Sequence, residues 1–195
     1  ASRGDINLTL FVAITLGMGL VIGSACAFNN YFDQDIDRIM TRTQKRSIVA
    51  GLVPAKNALI FAGIIGFIGF TLLALFTNLL TVVIAFLGFI IYIVLYGMLS
   101  KRMSIHGTLV GSVSGAMPIL AGYTAVTNNI DAGAIILFMI LFFWQMPEFY
   151  SIAIYRRNEY KQAGIPVMPV VKGVQSTKIQ MLVYIVAFAV SAMSL

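Results

Sequence analysis

Five long apolar runs and the start of a sixth leave this chain very few folds. Residues 8–28, 57–77, 79–99, 108–127 and 132–155 each have the ~20 residues that a helix needs to cross the hydrocarbon core of a bilayer, and 181–195 begins another. Inside lipid every backbone amide must find its partner within the protein, so open runs of this length predict helices. Charged residues make up 10% of the 195, against about 25% in soluble domains. The expected fold is therefore all-α: one polytopic helical bundle in the membrane, a single domain over 1–195. The last run is too short to cross, and the chain opens without Met. Both features predict a bundle truncated at each end.

Charge position matters more than the net charge of +6. Threading the runs alternately through a bilayer puts segments 29–56, 100–107 and 156–178 on one side. These hold Arg38, Arg42, Lys45, Arg46, Lys56, Lys101, Arg102, Arg156, Arg157, Lys161, Lys172 and Lys178, leaving only Arg3 of the 13 basic residues across the membrane. Basic loops stay cytoplasmic, so that side faces the cytoplasm. The positive charge serves topology, and no nucleic-acid partner is expected.

At the cytoplasmic end of the first run Asn29, Asp33 and Asp37 recur every four residues. On a helix they form one stripe of oxygen donors. Mg²⁺ prefers a few such donors completed by substrate phosphate oxygens, and the neighbouring Asn30, Arg38 and Arg42 add amide and guanidinium donors suited to an anion such as a diphosphate. Asp35 lies off the stripe. The competing interpretation is a solvated helix end that keeps the chain from sliding into lipid, which clustered carboxylates at a membrane boundary make less economical.

A second unusual stretch, WQMPEFYSIAIYRRNEY, occupies 144–160. Glu148 lies within an apolar run, where a carboxylate is a functional candidate unless it reaches water or an arginine. Glu159 and Arg156 follow in the loop. His106 stands alone beside Lys101 and Arg102 and is expected to be solvated; Cys26 is expected to be a small core residue. Gly107, Gly111 and Gly115, and Gly63, Gly66 and Gly69, predict close helix contacts. Runs 57–77 and 79–99, joined at Asn78, predict a helical hairpin. The apolar, proline-containing segment 163–173 suits a lid or substrate wall better than a linker.

The segments NNYFDQDIDRIMTRT, YGMLSKR, GTLVGSVSGAMPILAGY and WQMPEFYSIAIYRRNEYKQAGIPVMPVVKG together resemble the UbiA-type intramembrane prenyltransferases, over essentially the whole chain. The spaced Asn and Asp residues indicate only the superfamily, while WQMP and AGIPVMPVVKG are similar to its haem branch, the protohaem farnesyltransferases. The resemblance implies about nine spanning helices around a lipid-open cavity. It also implies transfer of a farnesyl group from farnesyl diphosphate to a vinyl group of haem b, as the haem O step of haem biosynthesis, in the bacterial inner membrane and with terminal oxidases as haem-receiving partners. Carried over, Asn29, Asp33 and Asp37 would hold Mg²⁺, with Asp33, Asp37 and Glu148 the catalytic candidates. Asn30, Arg38, Arg42, Lys101, Arg102 and Arg156 would meet the diphosphate.

Two departures stand out. Aromatic-acceptor relatives carry a second aspartate pair where this chain has Arg156 and Tyr160, leaving Glu159 the nearest substitute; and Glu148 stands where the haem branch commonly has His. Alternatives at this point are a UbiA-type enzyme with a quinone or chlorophyll-precursor acceptor, and a cation-binding transporter. A transporter would spread its acidic residues to mid-bilayer depth over several spans, whereas here they gather at one edge.

Overall fold

The computed structural model describes residues 6–195, and among these every regular element is helical. Arg3 lies outside the described residues. Among the described residues six helices are long and apolar enough to cross a membrane. The first, α1 (Leu8–Phe32), starts where the Asn7 side chain accepts from the Leu10 amide at 3.0 Å, satisfying one of the donors that every helix start leaves free. After it come the short α2 (Gln34–Ile39), a loop, and α3 (Ala55–Phe76).

Small residues decide how α1 and α3 meet. A Cβ on Gly69 would stand 2.9 Å from the Gly17 carbonyl oxygen and 2.9 Å from the Val21 nitrogen, so the two backbones touch there. Higher up the same seam Ser24 donates to the Ala62 carbonyl at 2.7 Å. Gly63 does not join them; it is exposed, with no neighbour within 4 Å of where its Cβ would be. Three-residue spacing falls short of the 3.6-residue helical turn, so Gly63 and Gly69 drift to different faces.

Helices α3 and α4 (Leu79–Ile90) are joined at Asn78, whose side chain accepts from the Thr81 amide and donates to the Thr124 carbonyl at 2.7 Å. The tight reversal predicted there is present, but the two helices mainly pack elsewhere: α3 on α1, and α4 on the later span Gly107–Thr127. The span continues past Ile90 through a π-helical segment, Ile91–Ser100, into α5 (Lys101–Met103), four residues beyond the predicted end.

The next two spans, α6 (Gly107–Thr127) and α7 (Ala132–Tyr155), pack together. Between them Asn128 takes φ +49, and Asp131 caps α7 by accepting from the Ala134 amide at 3.0 Å. Then come α8 (Arg157–Gln162), α9 (Met168–Val171) and α10 (Gly173–Met193), the last lying on α7.

Two sequence expectations need correcting. The last span begins at Gly173 rather than 181 and has 21 residues, enough to cross. Its polar opening, Gln175 to Lys178, is helical because Gly173 supplies the left-handed turn (φ +84) that redirects the chain, and buried Thr177 returns its hydroxyl to the Gly173 carbonyl at 2.8 Å. Cys26 is exposed rather than buried. It sits one position, about 100° of helical rotation, past buried Ala25.

Candidate active site

The oxygen-donor stripe spans a break in the helix. α1 ends at Phe32, Asp33 leaves helical geometry (φ −94, ψ 10), and α2 starts at Gln34. Backbone bonds nevertheless cross the break, from the Asp33 amide to the Asn29 carbonyl at 2.9 Å and from the Asp37 amide to the Asp33 carbonyl at 2.8 Å. The four-residue register therefore survives. Asn29, Asp33 and Asp37 are 8%, 0% and 2% exposed.

Burying two carboxylates in so apolar a chain demands partners. Lys101 donates to Asp33 Oδ2, and Arg46 Nη1 donates to Asp37 Oδ2 at 2.6 Å. On the stripe two buried acceptors remain without a hydrogen bond, Asn29 Oδ1 and Asp33 Oδ1, the latter 3.6 Å from Arg102 Nη2. Buried acceptors are rarely left unpaired, and two on adjacent turns of one stripe suit a cation. Gly97 borders the amide: a Cβ there would lie in ordinary contact with Asn29 Oδ1, at 3.5 Å, and tight against the Tyr92 carbonyl, at 3.2 Å. No cluster of three or more His, Cys, Asp or Glu occurs among the described residues. A set of two carboxylates and one amide fits a cation such as Mg²⁺, which keeps waters and takes phosphate oxygens to fill its octahedron.

The stripe opens on a cavity of about 820 Å³. Its polar end is formed by Asn29, Asp37, Arg42, Arg46 and Lys101, and its apolar walls by Ile36, Met40, Phe149, Ile152, Ile165 and Val167. Tyr92 and Tyr96 add aromatic faces from the π-helical segment, their ring centroids 5.6 Å apart. Such irregular helical turns recur at functional sites. Lys101 lies 5.9 Å from the centre of the Tyr96 ring, and Gly111 lets α6 approach so closely that a Cβ would sit 3.2 Å from that ring. The 163–173 segment is a wall rather than a loose flap: Ile165 is buried against Ile36 and Met40, with Tyr160 packed alongside. Burial raises the Tyr160 hydroxyl above its usual pKa.

The structure brings together only part of the predicted set. Asn29, Asp37, Arg42, Lys101 and Arg156 line the cavity, and Asp33 is buried behind Lys101. Asn30 and Arg38 do not line it, and Arg38 is exposed. Arg102 faces the other way: it grips Asp35 through Nη1–Oδ2 at 2.7 Å and Nη2–Oδ1 at 2.8 Å, and donates to the Phe32 carbonyl at 2.9 Å. The guanidinium holds the Asp35 carboxyl at about 2, well below its ordinary value. Glu148 is exposed and outside the cavity. Phe149, Ser151, Ile152, Ala153 and Tyr155 of α7, with Arg156 just past its end, supply the lining from this span, and Glu148 is not among them. Arg156 donates to Glu159 Oε1 at 2.9 Å. Sequence reasoning missed Arg46, Tyr92 and Tyr96 as site residues. Arg46 could have been suspected because it follows Arg42 by four residues, whereas the tyrosines carried no signal beyond an aromatic spacing of four.

Chemically, the site offers buried oxygen donors that could hold a cation and several positive groups on the lining of a large, mainly apolar chamber. That arrangement suits removing an anionic leaving group from an apolar molecule.

The model of the UbiA prenyltransferase family matches residues 1–195. Protoheme IX farnesyltransferase of Yersinia pseudotuberculosis is 48% identical over 195 residues, and the protein of that name from Photorhabdus laumondii is 47% identical over the same length. The chain spans 66% of the length of each of these curated relatives. Among solved structures, the apo structure of a UbiA homolog from Aeropyrum pernix aligns over 97% of this chain and 70% of its own, with TM-score 0.83 at 20% identity. A UbiA homolog from Archaeoglobus fulgidus, bound to DMAPP and Mg²⁺, aligns over 98% of this chain and 69% of its own, with TM-score 0.80 at 14% identity.

Proposed function

This chain belongs to the UbiA prenyltransferase family, and from that premise we propose that it transfers a farnesyl group from farnesyl diphosphate to a vinyl group of haem b, releasing diphosphate. The observation that carries the chemistry is the pair of buried acceptors without a hydrogen bond, Asn29 Oδ1 on the cavity lining and Asp33 Oδ1 behind Lys101. The acceptor assignment rests on the near-half identity to proteins named for that reaction.

Asn29, Asp33 and Asp37 would hold Mg²⁺, which when bound would supply positive charge against the leaving diphosphate. Lys101 and Arg46, each paired with one of these carboxylates, exchange that pairing for diphosphate oxygens as the substrate enters. Arg42 and Arg156, also on the cavity lining, add charge at the same mouth. As the allylic C–O bond breaks, its electron pair leaves with the diphosphate. The apolar walls from Ile36, Met40, Phe149, Ile152 and Ile165 exclude water while the vinyl π electrons attack the allylic carbon. Water then supplies a hydroxyl to the resulting cation and a proton is released. Prepaid positive charge at a leaving group is worth about 10²–10³ in rate for each well-placed donor.

The enzyme works in the bacterial inner membrane with this mouth toward the cytoplasm, where the positive-inside rule puts the basic loops. Its product passes to terminal oxidases that use the modified haem. The test is acceptor competition: membranes carrying the protein receive farnesyl diphosphate and Mg²⁺ with equimolar haem b and a quinone precursor, and products are identified by mass. Farnesylated haem alone supports the assignment; a prenylated aromatic as the main product overturns it.

A further inference from the structure

Arg102 is the residue that most departs from its expected part. Its guanidinium is turned away from the cavity and is committed to three acceptors at the joint between α1 and α2: both Asp35 oxygens and the Phe32 carbonyl. Its Nη2 also lies 3.6 Å from Asp33 Oδ1, within ion-pair range but too long for a hydrogen bond. Phe32 is the last residue of α1 and Asp35 lies in the first turn of α2, so Arg102 spans the break that holds Asp33. It reaches there from α5, directly beyond the π-helical segment, over 67 residues of sequence.

Resting on the metal-dependent transfer proposed above, we propose that Arg102 and Asp35 form a positioning clamp. It fixes the helix break so that Asp33 keeps its register between Asn29 and Asp37, and it makes no contact with the diphosphate. The physical case has three parts. A helix end exposes carbonyls that need donors, and the Phe32 carbonyl takes one from Arg102. Bidentate pairing of guanidinium and carboxylate is directional, unlike a lysine point charge, so it fixes orientation as well as distance. The clamp is also divided from Lys101 by function: Lys101 lines the cavity and sits on Asp33, while its sequence neighbour lines the separate crevice with Asp35, Ile36, Ile39 and residues 163–165.

Two readouts test this in the intact protein in membranes, for Asp35→Asn, Arg102→Gln, Arg102→Lys and the Asp35→Asn/Arg102→Gln double variant. Hydrogen exchange over residues 29–46 needs neither metal nor activity; the clamp predicts that each single variant speeds exchange at 33–37, and that the double variant is no faster than either. Mn²⁺ affinity, followed by electron paramagnetic resonance, should fall about tenfold or more in each variant, as for lost outer partners of metal ligands, and again without additivity. Arg102→Lys should not rescue, because it keeps the charge and loses the fork. Unchanged exchange and unchanged Mn²⁺ affinity in Asp35→Asn, or full rescue by Arg102→Lys with only inorganic pyrophosphate affinity lost in Arg102→Gln, would overturn the clamp and return Arg102 to the diphosphate. If wild type binds no Mn²⁺, the metal-dependent function fails, and the exchange result alone still decides the clamp.

Discussion

Arg46 Nη1 lies 2.6 Å from Asp37 Oδ2 and closes the eight intervening residues into a loop at the cavity mouth. Buried Thr43 braces the inside of this loop, its hydroxyl within 3.3 Å of the Asp37 carbonyl. The pairing makes Arg46 both the counter-charge that permits a buried Asp37 and a donor already standing at the mouth.

Arg46→Ala should therefore raise the KM for the prenyl diphosphate and lower kcat, with kcat/KM falling about 10- to 100-fold. Steady-state rates at fixed Mg²⁺ check this. Arg38→Ala, at an exposed position off the cavity, should stay within about twofold of wild type.

Glu148 stands off the cavity, and Glu148→Gln should leave the transfer rate within about twofold of wild type. A catalytic acid or base at that position would instead cost about 10²–10⁴. The pH profile of kcat/KM should be the same for both proteins.

At the α1–α3 seam, Gly69→Ala places its methyl against backbone on α1, which cannot swing aside. The expected loss is about 1–3 kcal/mol in detergent unfolding, as for overpacking elsewhere. Gly63→Ala has open space around it. It should be neutral or slightly stabilising, because alanine favours helix.

The Asp35 carboxyl titrates at about 2, held down chiefly by its hydrogen bonds to Arg102. Its unfolded value is higher, so folding gains from this group above about pH 4, and the gain disappears as pH falls through about 2. Carboxyl chemical shifts should follow that titration in wild type. In Arg102→Gln the midpoint should return toward 3.8.

Particular residues show how far the sequence carries. The spans were legible because lipid leaves the backbone no alternative to helix, and Ala132–Tyr155 has the predicted limits. α10 was obscured because its start depends on a positive φ at Gly173 and on a hydroxyl bonded four residues back, neither of which hydropathy registers. Asn29, Asp33 and Asp37 were legible because four-residue spacing is a local property that outlasts the helix break. Arg102 and Lys101 could not be told apart, since adjacent basic residues look alike until the fold turns one to Asp35 and the other to the cavity. Arg46 depended on a loop closing back on Asp37, and Tyr96 on a π-helical turn backed by Gly111. Glu148 stood out because an intramembrane carboxylate attracts suspicion, whereas its place off the cavity lining could be read only from the fold.

The most direct measurement is mass spectrometry of haem products after membranes bearing the protein are given haem b, farnesyl diphosphate and Mg²⁺, wild type beside Asp33→Asn, each with and without chelator. The account predicts farnesylated haem from wild type only, and none once the chelator removes the metal. Equal product from Asp33→Asn, or product that survives chelation, would contradict a metal site built on Asn29, Asp33 and Asp37.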